Sequence, residues 1–165
     1  EERYVEISDK RLIARSKKLT VDKKRDTAKK ILKWVSANVK YSGYIKDDRG
    51  ALYALKYRKG DCTEYMYLYN ALARIAGIPA RGIGGFVYAE DAVFRPEDYH
   101  NWSEIYLNGA WRIVDPQNKK FMENESSFIA MRIIGAADNS TINVKNTQQF
   151  AVSDKNISVK MQSIQ

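Results

Sequence analysis

The stretch HNWSEIYLNGAWRIVDP, residues 100–116, constrains the fold most, because it carries its own register. Asn108-Gly109 is the residue pair favoured by a two-residue type I′ turn, in which both central positions take positive φ. With that turn Leu107 faces Ala110, and counting outward along the ladder sets Trp102 opposite Asp115. Side chains alternate faces along a strand, so His100, Trp102, Trp111 and Asp115 project from one side. Diagonal neighbours stand about 7–8 Å apart at their Cα atoms, within reach for an imidazole and a carboxylate. The hairpin therefore places Asp115 where it can orient His100, the one histidine of the chain.

The one cysteine, Cys62, lies in YRKGDCTEYMYLYNALARIAGIPARGIGG. After Gly60, residues Cys62, Tyr65, Met66, Tyr69, Leu72, Ala73 and Ala76 recur at helical spacing. Gly77 suits the position past the helix end, and Pro79 cannot continue the helix. Cys62 thus falls in the first turn, where unpaired N–H groups and the helix dipole favour a thiolate. The same N–H groups are suited to an oxyanion. Asp61 opposes this unless its carboxylate points away.

Each of these residues has an ordinary reading when taken singly. A cysteine on an apolar helix face is a small core residue, His100 a structural histidine, and Asp115 before Pro116 a strand-end turn residue. Together they form the nucleophile, base and orienting acid of covalent catalysis. The spacing joins His100 to Asp115 but leaves the link to Cys62 open.

The rest of the chain predicts an α+β order, helices first and antiparallel strands after. Residues 1–20 are polar, with YVEIS as an edge strand. VDKKRDTAKKILKWVSANVKY is a helix with Ala28, Ile31, Leu32, Val35 and Val39 inward, capped by Asp22 or Thr20. ALYALKYR is a short helix. RGIGGFVYA, HNWSEIYL and AWRIVD are strands, SSFIAMRII is helix or strand, and the polar tail holds short β-like runs, QQFAV and NISVKM.

The length of 165 residues and 44% hydrophobic content fit one domain over residues 1–165 with a single core. The net charge of +8 is concentrated: residues 1–60 hold 18 Lys/Arg against 8 Asp/Glu, and the remainder is slightly acidic. Such a basic lobe is a solvated surface or meets an anionic partner or substrate; no motif for specific nucleic-acid binding accompanies it. One cysteine excludes an internal disulfide, and no apolar run is long enough for a transmembrane helix. No EF-hand loop or spaced Cys/His zinc pattern occurs, so neither metal nor organic cofactor is expected. The start EERYVE reads as a mature or excised chain, which favours an extracytoplasmic setting, periplasmic or secreted.

These segments resemble the transglutaminase-like superfamily, whose fold is related to papain-type cysteine proteases, in its bacterial or archaeal form. The resemblance rests on Gly60–Cys62 opening a helix, Gly77–Arg81 leading into a strand, His100–Trp102, and Trp111 with Asp115–Pro116. It covers about residues 25–118, with N- and C-terminal extensions outside that core. It implies a papain-like core with the nucleophile-bearing helix packed on an antiparallel sheet. Cys62 is then the nucleophile, His100 the base and acid, and Asp115 the orienting residue. Tyr41 stands where the animal enzymes use an indole to help hold the oxyanion, and Trp102 covers the site. Trp111 and Arg81 are structural. The family often reads Asp-Pro-Thr where this chain reads Asp-Pro-Gln. The implied activity is acyl transfer on peptide or isopeptide amides through a thioester, as a peptidase, amidase or transglutaminase. The alternative is an inert scaffold or binding module of the same fold.

Overall fold

A computed structural model describes residues 3–88 and 93–134 of the chain. Its helices are α1 (Lys10–Leu19), α2 (Lys24–Asn38), α3 (Gly50–Tyr57) and α4 (Cys62–Ile75). Two short strands, β1 (Lys40–Tyr41) and β2 (Lys59–Gly60), bracket α3 and pair in parallel. The main sheet follows: β3 (Ala80–Val87), β4 (His100–Leu107), β5 (Ala110–Asp115), β6 (Lys120–Phe121) and β7 (Phe128–Ile134). Its order is β6-β5-β4-β3-β7, antiparallel throughout. The α+β arrangement of helices before strands is the one the sequence predicts.

Helix α4 is the axis of the molecule. α1, α2 and α3 pack against it on one side and β3 and β4 on the other. Burial consequently runs right round it, from Thr63 to Ala73, and is not confined to the stripe that its spacing predicts. Ala76 caps its end and Gly77 follows at φ +73°. In the β4–β5 hairpin both turn residues have positive φ, 54° at Asn108 and 85° at Gly109. The register runs from Leu107↔Ala110 to Ser103↔Val114 as counted from the turn.

Three local expectations are corrected. Residues 4–8 form no edge strand; Val5 is buried and the Tyr4 carbonyl accepts from Ala51 N–H at the start of α3. Residues 10–19 are helix α1, whose buried positions are Leu12, Ser16 and Leu19. A serine in that stripe hides its period, and the serine is buried because its hydroxyl donates to the Leu72 carbonyl of α4 at 2.8 Å. Finally, neither Asp22 nor Thr20 caps α2. Lys23 holds the cap position without a side-chain bond, and Thr27 Oγ1 accepts from Val21 N–H at 2.9 Å instead.

SSFIAMRII resolves as strand for its main part, β7, which pairs with β3 through an irregularity between Gly84 and Gly85. QQFAV and NISVKM lie outside the described residues. No helix among the described residues is long and apolar enough to cross a membrane. Arg81 pairs with Glu104 at 2.6 Å and covers the Trp111 ring at 4.1 Å.

Candidate active site

The start of α4 is built around two acids. Asp61 holds the cap position: Oδ1 accepts from Thr63 N–H at 2.8 Å, and Oδ2 from Ile45 N–H at 2.9 Å. Glu64 reciprocates, with Oε2 accepting from Asp61 N–H at 3.1 Å and Oε1 from Arg49 N–H at 3.0 Å. This is a capping box that also binds the preceding loop. The Asp61 carboxylate is thus committed to backbone donors. Burial raises the Glu64 pKa to about 7; the nearby Asp61 adds to the rise, and the two backbone N–H groups oppose it. Gly60 is required by space, since a Cβ there would sit 2.3 Å from the Glu64 Cβ. Cys62, a free thiol, is partly exposed in the first turn.

Opposite it, at the start of β4, His100 Nε2 lies 2.7 Å from Asp115 Oδ2, and Asp115 is fully buried. The carboxylate is held on every side. Its Oδ1 accepts from Gln117 N–H at 3.1 Å and Asn118 N–H at 3.2 Å, and its Oδ2 from Asn118 Nδ2 at 2.8 Å. Burial works against this carboxylate, but the bonds from His100 and Asn118 and the imidazole charge outweigh it and lower its pKa.

With Nε2 engaged by Asp115, Nδ1 is the ring nitrogen left for the thiol. Cys62 lies near enough to the imidazole to favour its charged form. Burial disfavours a charged imidazole here. The bonds and charges of Asp115 and Cys62 prevail, and the His100 pKa is raised to about 10. Helix and strand are tied together by the next residue on each: Asn101 Nδ2 donates to Thr63 Oγ1 at 3.0 Å.

The structure therefore brings Cys62, His100 and Asp115 into one place. Trp102 is wholly buried with Ile83, Ile113 and Phe128 about it, and its ring stacks on His100 at 6.3 Å. It backs the imidazole from the interior. Tyr41 is 59% exposed on β1, which pairs with Gly60 just before the cysteine, so it does not pack beneath α4.

Two residues near the site escaped the sequence reading. Asn118 belongs to the turn after Asp115, and its signal was the polar Asp-Pro-Gln-Asn run itself, a turn closed by side-chain bonds. Tyr99 packs edge-on against Phe86 at 5.5 Å between centroids. Burial raises its hydroxyl pKa, Arg132 opposes the rise and the Cys62 charge adds to it. Nothing in strand alternation points to Tyr99. Among the described residues no group of three or more His, Cys, Asp or Glu side chains is arranged to hold a metal ion.

A cysteine at the head of a buried helix, facing a histidine on an antiparallel sheet, defines a papain-like cysteine-protease fold. Within that class the sequence profile of the transglutaminase-like superfamily matches residues 12–116, and the chain belongs to that superfamily. The match begins inside α1, earlier than the core of about 25–118 expected from the motifs. Human kyphoscoliosis peptidase is 29% identical over 91 residues, which is 50% of this chain and 14% of that protein. The mouse protein is 32% identical over 65 residues, covering 37% and 10% respectively. The chain therefore spans a small part of these relatives.

Among solved structures, a cysteine protease candidate from Cytophaga hutchinsonii superposes with a TM-score of 0.69 at 24% identity, covering 86% of this chain and 47% of that one. The periplasmic domain of TgpA from Pseudomonas aeruginosa gives 0.55 at 22% identity, covering 67% and 43%. Legionella pneumophila LapG gives 0.55 at 14%, covering 76% and 71%. These likenesses bear on the fold.

Proposed function

We propose that this protein is a cysteine-dependent acyl-transfer enzyme that cleaves peptide or isopeptide amides through a thioester. The observation that carries the proposal is the imidazole held between Asp115 and Cys62. The Cys62 thiolate attacks the amide carbonyl carbon and forms a C–S bond. The Cys62 backbone N–H at the head of α4 and the Tyr41 hydroxyl hold the oxyanion. His100 gives its Nδ1 proton to the departing nitrogen as the C–N bond breaks. Water then attacks the thioester, His100 takes a proton from it, the C–S bond breaks and a carboxylic acid leaves. A primary amine in place of water makes the same site a transglutaminase. Hydrolysis is the favoured branch because water is always abundant. An extracytoplasmic setting is part of the proposal, supported by a fold neighbour that is a periplasmic domain.

The test uses the single cysteine as its own reporter. Iodoacetamide alkylation is followed from pH 4 to 10 in the wild type and in His100→Ala. The expected result is fast alkylation well below the ordinary thiol pKa of about 8.5, with the low-pH arm lost in the variant. A slow thiol that ignores the mutation would mean a retained fold with an inert site. Digestion of a denatured protein mixture with and without a primary amine then separates the two branches. New carboxyl termini indicate hydrolysis, and amine incorporation at glutamine indicates transfer.

A further inference from the structure

Away from Cys62, a groove of about 340 Å³ opens between α1 and α3, lined by Arg11, Arg15, Lys18, Lys56 and Arg58. The rest of its lining is aliphatic, and no carboxylate contributes to it. Arg11 is neutralised by Asp9 at 2.8 Å. Among the described residues the other four cations have no carboxylate partner.

Two of them are held in place although they repel. The Arg15 and Arg58 guanidinium carbons lie 4.5 and 4.6 Å from the centroid of the same Trp34 ring. Cation–π contact with one indole stabilises both. Burial disfavours the Arg58 charge and Arg15 disfavours it further. Arg58 Nη1 is buried without a hydrogen-bond acceptor among the described residues. A buried guanidinium donor left unmatched calls for an acceptor, and the repulsion of Arg58 by Arg15 favours a bound anion nearby. Planar guanidinium forks suit oxyanions bidentately, with the lysines adding point charges around them.

We infer that the α1–α3 groove is a binding site for a soluble ligand carrying a di- or polyphosphoryl group. Four unpaired cations exceed what one carboxylate needs, and a phosphoryl chain supplies several acceptor oxygens and more than one negative charge. The site lies apart from the residues that perform the proposed reaction.

Pyrophosphate is the probe, measured by calorimetry and by thermal unfolding at ionic strength held constant with sodium chloride. The expected result is saturable one-site binding with a rise in Tm. Each charge-assisted contact is worth about tenfold in affinity. Arg58→Gln should therefore weaken binding by about tenfold, and Lys18→Glu with Lys56→Glu by more. The two lysines are exposed, in the last turns of α1 and α3 where a glutamate opposes the helix dipole. The double variant should therefore lose a little Tm without ligand, and an unchanged far-ultraviolet circular dichroism spectrum shows it folded. Failure to bind pyrophosphate, or affinity unchanged in the double variant, would overturn the inference. Binding to phosphatidic acid vesicles but not to pyrophosphate would equally exclude a soluble ligand.

Discussion

His100 has a different neighbour on each side: Asp115 at Nε2, the thiol at its other edge, and the Trp102 face behind it. Replacing Asp115 by Asn keeps an acceptor but removes the charge. The imidazole pKa should then fall from about 10 by about one to three pH units, read by nitrogen-15 NMR of the single histidine. If the proposed reaction holds, kcat should fall by a factor on the order of 10²–10⁴. Asn118→Ala tests positioning, since Asn118 Nδ2 donates to Asp115 Oδ2 at 2.8 Å and lies 3.3 Å from His100 Nε2. It removes one donor to a buried carboxylate, so kcat should drop by about tenfold with KM little changed, and the NMR midpoint should not fall as it does in Asp115→Asn, because the Asp115 charge stays. Tyr41→Phe separates an oxyanion donor from a surface aromatic. Loss of a donor should lower kcat by on the order of 10²-fold, whereas an unchanged kcat would leave Tyr41 as exposed surface.

At the scale of elements, the head of α4 is a clasp. Asp61 and Glu64 accept from each other's end of the helix turn and from Ile45 and Arg49 in the preceding loop. Gly60 lets Glu64 lie against the chain. Gly60→Ala should destabilise by about 1–3 kcal/mol through overpacking, seen as a lower urea midpoint with unchanged slope. It should also slow Cys62 alkylation, because Cys62 follows directly on the displaced cap. Both β4–β5 and α4 were legible, as their signals are local: two turn residues that accept positive φ, and an apolar period closed by Gly77 and Pro79. Helix α1 was not. Its stripe contains Ser16, whose burial makes sense only once α4 supplies the Leu72 carbonyl.

For the whole molecule, the shifted groups of the site, Glu64, His100 and Asp115, shape the dependence of stability on pH. Glu64 rises from 4.5 to about 7, so the folded chain keeps a proton that the unfolded chain has released. Stability therefore falls as pH climbs between those values. His100 rises from 6.5 to about 10; its contribution is complete below 6.5 and is lost as pH rises through about 10. Asp115 is lowered from 3.8, so its contribution is present above 3.8 and fades at lower pH. Thermal midpoints should thus be highest near pH 4–5 and decline to pH 10. Glu64→Gln should flatten the lower part of that decline and His100→Ala the upper part.

What depends on neighbours along the chain could be read without the fold. The Asn108-Gly109 turn sets the β4–β5 register and with it the approach of His100 to Asp115, and helix punctuation puts Cys62 at the head of α4. That helix head and strand head meet, through Thr63 and Asn101, emerges from packing alone, because no spacing rule relates residues on different layers. Packing also decided that Asn118 holds Asp115 and that Ser36 Oγ, donating to the Pro116 carbonyl at 2.6 Å, anchors the turn between them to α2. The concentration of lysine and arginine in residues 1–60 was visible as charge alone. That five of those cations line one groove follows from the packing of α1 beside α3, which places residues some forty positions apart on a common surface.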